Sequence, residues 1–278
     1  MGPAVASETT WVIDLPNLRS TERFAQALAR EVGPDTLMTL TGDLGSGKTT
    51  FARALIRHLT GDAELEVPSP TFSIMQVYAT PAYPIVHCDL YRIGSPNELG
   101  ELGWEEAAVG ALVVVEWADR AGDHLGADRL DVGFILEPEE GPEHRVAVVT
   151  GYGAWAQRVS IMKAIDRLLT QSGWDGATRT FMLGDASVRA YERLKRGDET
   201  AILMISPPRP DGPPVRYGKP YSAVARLAED VKPFVAMANG LRSLGLSAPA
   251  ILAKDLKAGL LITEDLGSET VLVDGKPH

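Results

Sequence analysis

The sequence predicts an α/β fold in two parts: a sheet domain with flanking helices over residues 1–170, and a smaller α+β region over 179–278, joined by a linker at 171–178. Three observations lead to this reading. Strand-like and helix-like stretches alternate through the first part, and one continuous apolar run, Ala111 to Val115, suits a strand covered on both faces. At 278 residues the chain is long for a single core. The charge is also uneven: residues 1–155 carry 10 basic and 23 acidic side chains, a balance of −13, whereas 156–278 carry 17 and 14, a balance of +3.

The elements follow in order. Trp11 to Leu15 reads as a strand, and Ser20 or Thr21 can cap a helix whose apolar residues Phe24, Leu28 and Val32 recur at helical spacing. Thr36 to Thr41 is strand-like and runs into a glycine-rich segment, after which Phe51, Leu55 and Leu59 resume a helical stripe. Phe72 to Tyr78 and Ile85 to Cys88 are further strands on either side of the turn-rich TPAYP. Arg129 to Leu136 and Arg145 to Val149 form a pair around a polar turn, and Ala154 to Leu169 is helical. The QSGWDGAT segment marks the linker. Beyond it, Thr180 to Leu183, Tyr191 to Leu194 and Thr200 to Ile205 read as an antiparallel meander. A Pro-rich surface loop, a helix through Val231, Phe234, Val235, Met237 and Leu241, and strands near Ile251 and at Leu260 to Glu264 complete it.

Several classes of function are disfavoured at this level. No stretch approaches the roughly eighteen apolar residues of a membrane helix, so no membrane partner is expected. The N-terminus lacks the basic start and apolar core of a secretory signal, and Cys88 is the single cysteine, which makes the cytoplasm the default location. The acidic first part is a poor surface for a polyphosphate backbone, so any contact with RNA should run through a protein partner.

The chemistry is carried by Gly42-Asp43-Leu44-Gly45-Ser46-Gly47-Lys48-Thr49, a full match to the phosphate-binding P-loop pattern lying between a strand and a helix. Its glycines let backbone N–H groups face a phosphate, and the helix that begins there adds the positive end of its dipole. Lys48 can reach the β- and γ-phosphates of ATP, and the Thr49 hydroxyl, followed by Thr50, can face Mg2+. Lys48 is also the only lysine in the first 155 residues, kept where a compact ammonium fits between phosphates. Such a site needs an acidic residue at the end of a buried strand, and two qualify: Asp89 after IVHC and Glu116 after ALVVV. Trp117 is either a core aromatic or a contact to nucleotide or partner.

After the P-loop come Ser69-Pro70-Thr71-Phe72, His87-Cys88-Asp89-Leu90-Tyr91-Arg92 and Val115-Glu116-Trp117. In that order and spacing, from about Thr21 to Val149, the chain resembles the TsaE (YjeE) family, P-loop NTPases that act as the ATPase component of the bacterial machinery making threonylcarbamoyladenosine in tRNA. The resemblance implies that Thr71 lies in a switch-like loop near the γ-phosphate, that Asp89 and Glu116 serve metal and water, and that Trp117 matters for function. It also implies partners, a TsaD-like transferase and its TsaB-like paralogue, with tRNA reached only through that complex.

The second region resembles the N-terminal lobe of aminoglycoside-phosphotransferase-like kinases, nearest to those that phosphorylate the anomeric hydroxyl of amino sugars. The resemblance rests on FMLGDASVRAYERL, the strand AILMI and Leu260 to Gly267. It implies a phosphate-covering turn at Gly184 to Arg189 and a hinge at Glu264 to Leu266. Two departures stand out: the third-strand lysine is missing, with Met204 in its neighbourhood, and residues 145–277 contain no histidine for a His-Gly-Asp catalytic segment. The expectation is a partial, inactive kinase-like lobe from a truncated or incompletely sequenced fusion. For the first region the alternatives are a P-loop small-molecule kinase or a nucleotide-gated binding module. A kinase of that type needs a lid with several arginines, whereas the nine arginines of residues 1–155 are scattered.

Overall fold

A computed structural model of the chain describes residues 8–95, 98, 103–182, 189–208, 212–220, 224, 228 and 230–267, together with the backbone of 272–273 and 276–277. Two compact units emerge, Met1–Ser160 and Ile161–His278.

The first unit is built on a seven-stranded sheet. Its strands are β1 (Glu8–Leu15), β2 (Thr36–Thr41), β3 (Met75–Tyr78), β4 (Ile85–Asp89), β5 (Leu112–Glu116), β6 (Arg129–Leu136) and β7 (Arg145–Tyr152), in the spatial order β1-β7-β6-β2-β5-β4-β3. The four middle strands, β6, β2, β5 and β4, run parallel, while β7, β1 and β3 join antiparallel at the flanks. This is the α/β class expected from the sequence. The apolar run behaves as its composition dictates, since every residue of β4 and β5 is buried. β6 alternates buried and half-buried positions, as a strand with unequal faces should.

Helices α1 (Leu18–Ala29) and α2 (Lys48–Thr60) pack on this sheet. The α1 cap differs from the expected one. Asn17 takes extended backbone and its side chain accepts from the Ser20 backbone N–H at 3.0 Å, so Ser20 and Thr21 lie inside the helix and are buried. Pro16 and Asn17 provide the stop and the cap directly before the helix begins at Leu18. Trp11, Phe24, Phe51 and Phe134 form a run of ring contacts from β1 through both helices to β6, with centroids 6.3, 5.2 and 5.4 Å apart. A second cluster, built from Val86, Cys88, Leu90, Val113 and Val115, also takes in Ala118 and Ala121 from the turn after β5. Where a strand was expected from Phe72, β3 begins only at Met75; Ile74 stands at φ 64° and Phe72 is 85% exposed. The short helix α3 (Trp104–Ala108) precedes β5.

Helix α4 (Ala154–Gln171) begins against β7, where Gly151 lies so close to the Trp155 carbonyl and Val159 that no side chain fits. The boundary between the units falls inside this helix. Within the second unit, Ala164, Ile165, Leu168 and Leu169 of α4 pack with Trp174, Leu194, Leu203, Leu260 and Ile262. Its sheet comprises β8 (Thr178–Met182), β9 (Ala190–Arg196), β10 (Glu199–Ile205), β13 (Ile251–Asp255) and β14 (Leu260–Glu264), antiparallel throughout in the order β13-β14-β10-β9-β8. Two two-stranded ribbons, β11 (Pro214–Arg216) with β12 (Lys219–Pro220) and β15 (Leu272–Val273) with β16 (Lys276–Pro277), and helix α5 (Lys232–Ser243) complete it. Met204 is buried against Val231, Val235 and Leu261, so it belongs to the core of this unit. Of the expected turn at Gly184 to Arg189, residues 184–188 lie outside the described residues. Asp265, in the expected hinge, is paired with Arg193 at 2.8 Å.

Phe51 is fully buried at the centre of the ring run. Phe51→Ala should cost about 3–5 kcal/mol, because both the transfer energy of the ring and a residual cavity are lost. A denaturant titration followed by far-UV circular dichroism checks this, and a midpoint equal to wild type would contradict the packing described.

Candidate nucleotide site

The parallel strands end at one level. In the register, Glu116 lies beside Leu40 on β2 and beside Asp89 on β4. Both carboxylates therefore emerge next to the loop that leaves β2. That loop, Gly42 to Gly47, turns with positive φ at Gly42 (128°), Gly45 (78°) and Gly47 (109°), and Gly47 leads directly into α2. A side chain at Gly42 would run into the Phe134 carbonyl oxygen and the Ser46 hydroxyl, so this position needs glycine for space as well as for φ. Arg145 on β7 holds the loop from behind, its Nε donating to the Ser46 carbonyl at 3.1 Å.

Lys48 opens α2 and is buried. Its Nζ donates to the carbonyls of Gly42 at 2.8 Å and Asp43 at 2.9 Å and sits 4.0 Å from the centre of the Trp117 ring. Burial pushes its pKa below the ordinary lysine value, because an ammonium loses solvation, while the charges of Glu116, Asp89, Asp43 and Asp119 oppose that shift. Trp117 reaches this position by taking left-handed backbone, φ 59°, immediately after β5, and its ring also packs on Tyr91 at 5.1 Å.

Two hydrogen-bonded groups meet at the strand ends. The Thr49 hydroxyl donates to Glu116 Oε2 at 2.8 Å, and His87 Nε2 contacts Glu116 Oε1 at 2.9 Å. On the neighbouring strand, the Thr71 hydroxyl donates to Asp89 Oδ2 at 2.7 Å, Ser69 donates to the same oxygen, and the Tyr91 backbone N–H donates to Asp89 Oδ1 at 2.9 Å. A cavity of about 340 Å³ is lined by Leu44, Gly45, Gly47, Lys48, Thr49, Thr50, Ser69, Thr71, Asp89, Tyr91, Glu116 and Trp117. The structure thus brings Lys48, Thr49, Thr50, Thr71, Asp89, Glu116 and Trp117 into one cleft. Gly42, Asp43 and Ser46 belong to the loop without lining that cavity. Sequence reasoning gave no role to Ser69 or Arg145. Ser69 stands two residues before Thr71 in a block already singled out, so its signal was present; Arg145 is distant in sequence from the loop and carried none.

The donor set at the strand ends, one hydroxyl and two carboxylates, consists entirely of oxygens, as a hard cation such as Mg2+ prefers. Among the described residues no cluster of three or more His, Cys, Asp or Glu side chains could form an all-protein cage. Such a donor set fits an ion that takes its remaining ligands from phosphate and water. On the other side of the loop a second cavity, of about 380 Å³, is lined by Ser46, Gly47 and Thr50 together with Arg53, Arg57, Phe134 and Arg145.

A glycine-built loop between a central parallel strand and a helix, with lysine and threonine at the helix start and two carboxylates level with them, defines a P-loop nucleoside-triphosphate-binding domain. The family model described as "Threonylcarbamoyl adenosine biosynthesis protein TsaE" matches residues 15–145. The tRNA threonylcarbamoyladenosine biosynthesis protein TsaE of Rickettsia bellii is 46% identical over 116 residues, covering 42% of this chain and 80% of that protein. The chain belongs to the TsaE family. A further relative, an N-acetylmuramate/N-acetylglucosamine kinase of Caulobacter vibrioides, is 46% identical over 110 residues, which span 36% of this chain and 30% of the kinase. The crystal structure of YdiB from Bacillus subtilis, 26% identical, superimposes with a TM-score of 0.44, covering 59% of this chain and 99% of YdiB.

Gly42→Ala should leave the sheet intact and abolish nucleotide binding, since the new methyl group displaces the loop from the Phe134 carbonyl. Thermal unfolding with and without ATP is the check: wild type should melt higher with nucleotide and the variant should not. A full nucleotide-dependent shift in the variant would show that the loop tolerates a side chain there.

Proposed function

We propose that the first unit binds ATP with Mg2+ at Gly42 to Thr50 and hydrolyses it in support of threonylcarbamoyladenosine formation at position 37 of tRNA. The observation that carries this reading is the convergence of Lys48, Thr49, Asp89 and Glu116 on one side of the glycine loop. On nucleotide entry the Lys48 ammonium exchanges the carbonyls of Gly42 and Asp43 for the β- and γ-phosphate oxygens. The backbone N–H groups of the loop and the start of α2 take the remaining phosphate charge. Thr49, Glu116 and Asp89 would hold Mg2+, which would supply charge neutralisation on the phosphate oxygens. Thr71, from the loop before β3, would face the γ-phosphate, a role supported by its place beside Lys48 in the lining of the cleft. Glu116 and Asp89 orient the water for in-line attack, so the gain comes from positioning and charge. Trp117 keeps one wall of the lysine site apolar.

The carbamoyl transfer itself is assigned to partners, a TsaD-like transferase and its TsaB-like paralogue. The balance of −13 over residues 1–155 supports this division, since such a surface repels tRNA phosphates. The setting is cytoplasmic in this reading; among the described residues no helix is long and apolar enough to cross a membrane. The second unit is proposed as the N-lobe part of an amino-sugar-kinase-like domain without phosphotransfer of its own in these 278 residues. The missing third-strand lysine and the burial of Met204 in the core support that part.

Lys48→Ala should abolish ATP turnover, and Glu116→Gln should lower kcat by about a hundredfold while nucleotide affinity stays within a few-fold, as expected for a group acting mainly in the transition state. Steady-state phosphate release with parallel titrations of nucleotide binding measures both; near-wild-type turnover in Lys48→Ala would refute the site. Co-purification with the TsaD-like and TsaB-like pair in the presence of ATP tests the pathway, and failure to recover either protein would count against it. Without partners, tRNA binding should be weak and should fall steeply between 50 and 200 mM salt. Filter binding shows this, and a tight, salt-resistant complex would contradict the partner-mediated route. Lys48→Ala protein given ATP and N-acetylmuramate or N-acetylglucosamine should form no sugar phosphate; catalytic formation would overturn the reading of the second unit.

A further inference from the structure

Beneath the cleft lies a side chain that the proposed chemistry does not use. His87, at the middle of β4, is 0% exposed. It points to the same face as Asp89, two residues on, and reaches diagonally across to Glu116, whose direct partner on β4 is Asp89. Its Nε2 lies 2.9 Å from Glu116 Oε1, and its other ring nitrogen, Nδ1, is buried among the described residues with no hydrogen-bond partner. An imidazole held only to fill the core would leave two polar atoms to satisfy, where leucine or phenylalanine would leave none. Here one nitrogen is left bare and the other is spent wholly on the carboxylate.

The two oxygens of Glu116 are thereby distinguished. Oε1 is taken from within the sheet by His87, and Oε2 faces the cleft, where it accepts from Thr49. Asp89 is fixed differently, by Ser69, Thr71 and the Tyr91 backbone N–H. Ser69 and Thr71 belong to the loop next to the nucleotide cavity and Thr49 to the first turn of α2, and all three line that cavity, so the bonds they make are open to exchange when ligand enters. Among the described residues, His87 is the one side-chain donor to either carboxylate that does not line that cavity.

We propose that His87 is a positioning residue for ATP hydrolysis, fixing the rotation of the Glu116 carboxylate through an Nε2–H···Oε1 bond so that Oε2 alone faces metal and water. The inference rests on the ATPase reading above. Partners of this kind, one step removed from the reacting atoms, typically change activity or metal affinity ten- to a hundredfold when removed, and a group that acts by orientation changes kcat more than ground-state nucleotide binding.

The experiment compares His87→Leu and His87→Gln, the latter keeping an N–H donor on a side chain of similar reach. His87→Leu should lose about tenfold or more in kcat with KM for ATP within about twofold of wild type, and His87→Gln should recover most of the loss. Equal kcat in wild type and His87→Leu, or equal losses in both variants, would overturn the proposal. If His87→Leu fails to fold, His87→Gln and the wild-type ring still decide. Long-range proton–nitrogen correlation of the His87 ring in nucleotide-free protein should show hydrogen on Nε2 and an unprotonated Nδ1. Hydrogen on Nδ1 with none on Nε2 would remove the bond to Glu116. A wild-type chain without ATPase activity, alone or with its partners, would refute the proposed function, and the ring spectrum would still decide whether His87 holds Glu116.

Discussion

The register that sets Glu116 beside Leu40 and Asp89 fixes the position of nearly everything at the cleft. Strands β2, β5 and β4 run parallel and finish together, so the glycine loop, one carboxylate and then the other stand side by side along a single edge. Sliding β5 by one residue would turn Glu116 to the opposite face, because side chains alternate along a strand. That register is held by burial. Every residue of β4 and β5 is covered, so a slip would also drive Val113 and Val115 out of the cluster they share with Val86 and Cys88. The polar edge is thus specified by the apolar strands behind it.

The loop depends on the same frame from another side. Gly42 packs against the Phe134 carbonyl of β6, and Ser46 is tied to Arg145 of β7, so its shape is set by strands far away in sequence. Lys48, meanwhile, is satisfied internally by two loop carbonyls and an indole face. The ammonium braces the start of the loop by joining the Gly42 and Asp43 carbonyls, and polyphosphate would offer it a stronger set of acceptors in the same place.

Much of this was legible in the sequence because it is local. A continuous apolar run announces a strand buried on both faces, and the glycine, lysine and threonine spacing announces a phosphate loop wherever a strand precedes it and a helix follows. Asp89 and Glu116 could be picked out because each ends such a run. What stayed hidden depends on partners distant in the chain. Asn17 caps α1 because its extended backbone turns the side chain onto the Ser20 N–H, although Ser20 and Thr21 offer the same chemistry three and four residues later. Arg145 meets the loop only after the sheet closes. Phe72 carries the composition of a strand yet sits outside one, since the preceding Ser69 and Thr71 are drawn to Asp89 and the chain turns at Ile74 before pairing can begin.

Cys88 lies between His87 and Asp89 on β4, with its side chain on the opposite face, in the apolar cluster. Burial, followed by the neighbouring Asp89 charge, pushes its thiol up to about 12. The thiolate is the reactive form, so this sulfur is silent toward alkylating reagents and disulfide exchange as long as the sheet is closed. Since it is the chain's one cysteine, the native protein is a ready background for probe attachment. A cysteine introduced on the surface would take a fluorophore or spin label alone, and labelling at Cys88 itself would time the opening of the central strands.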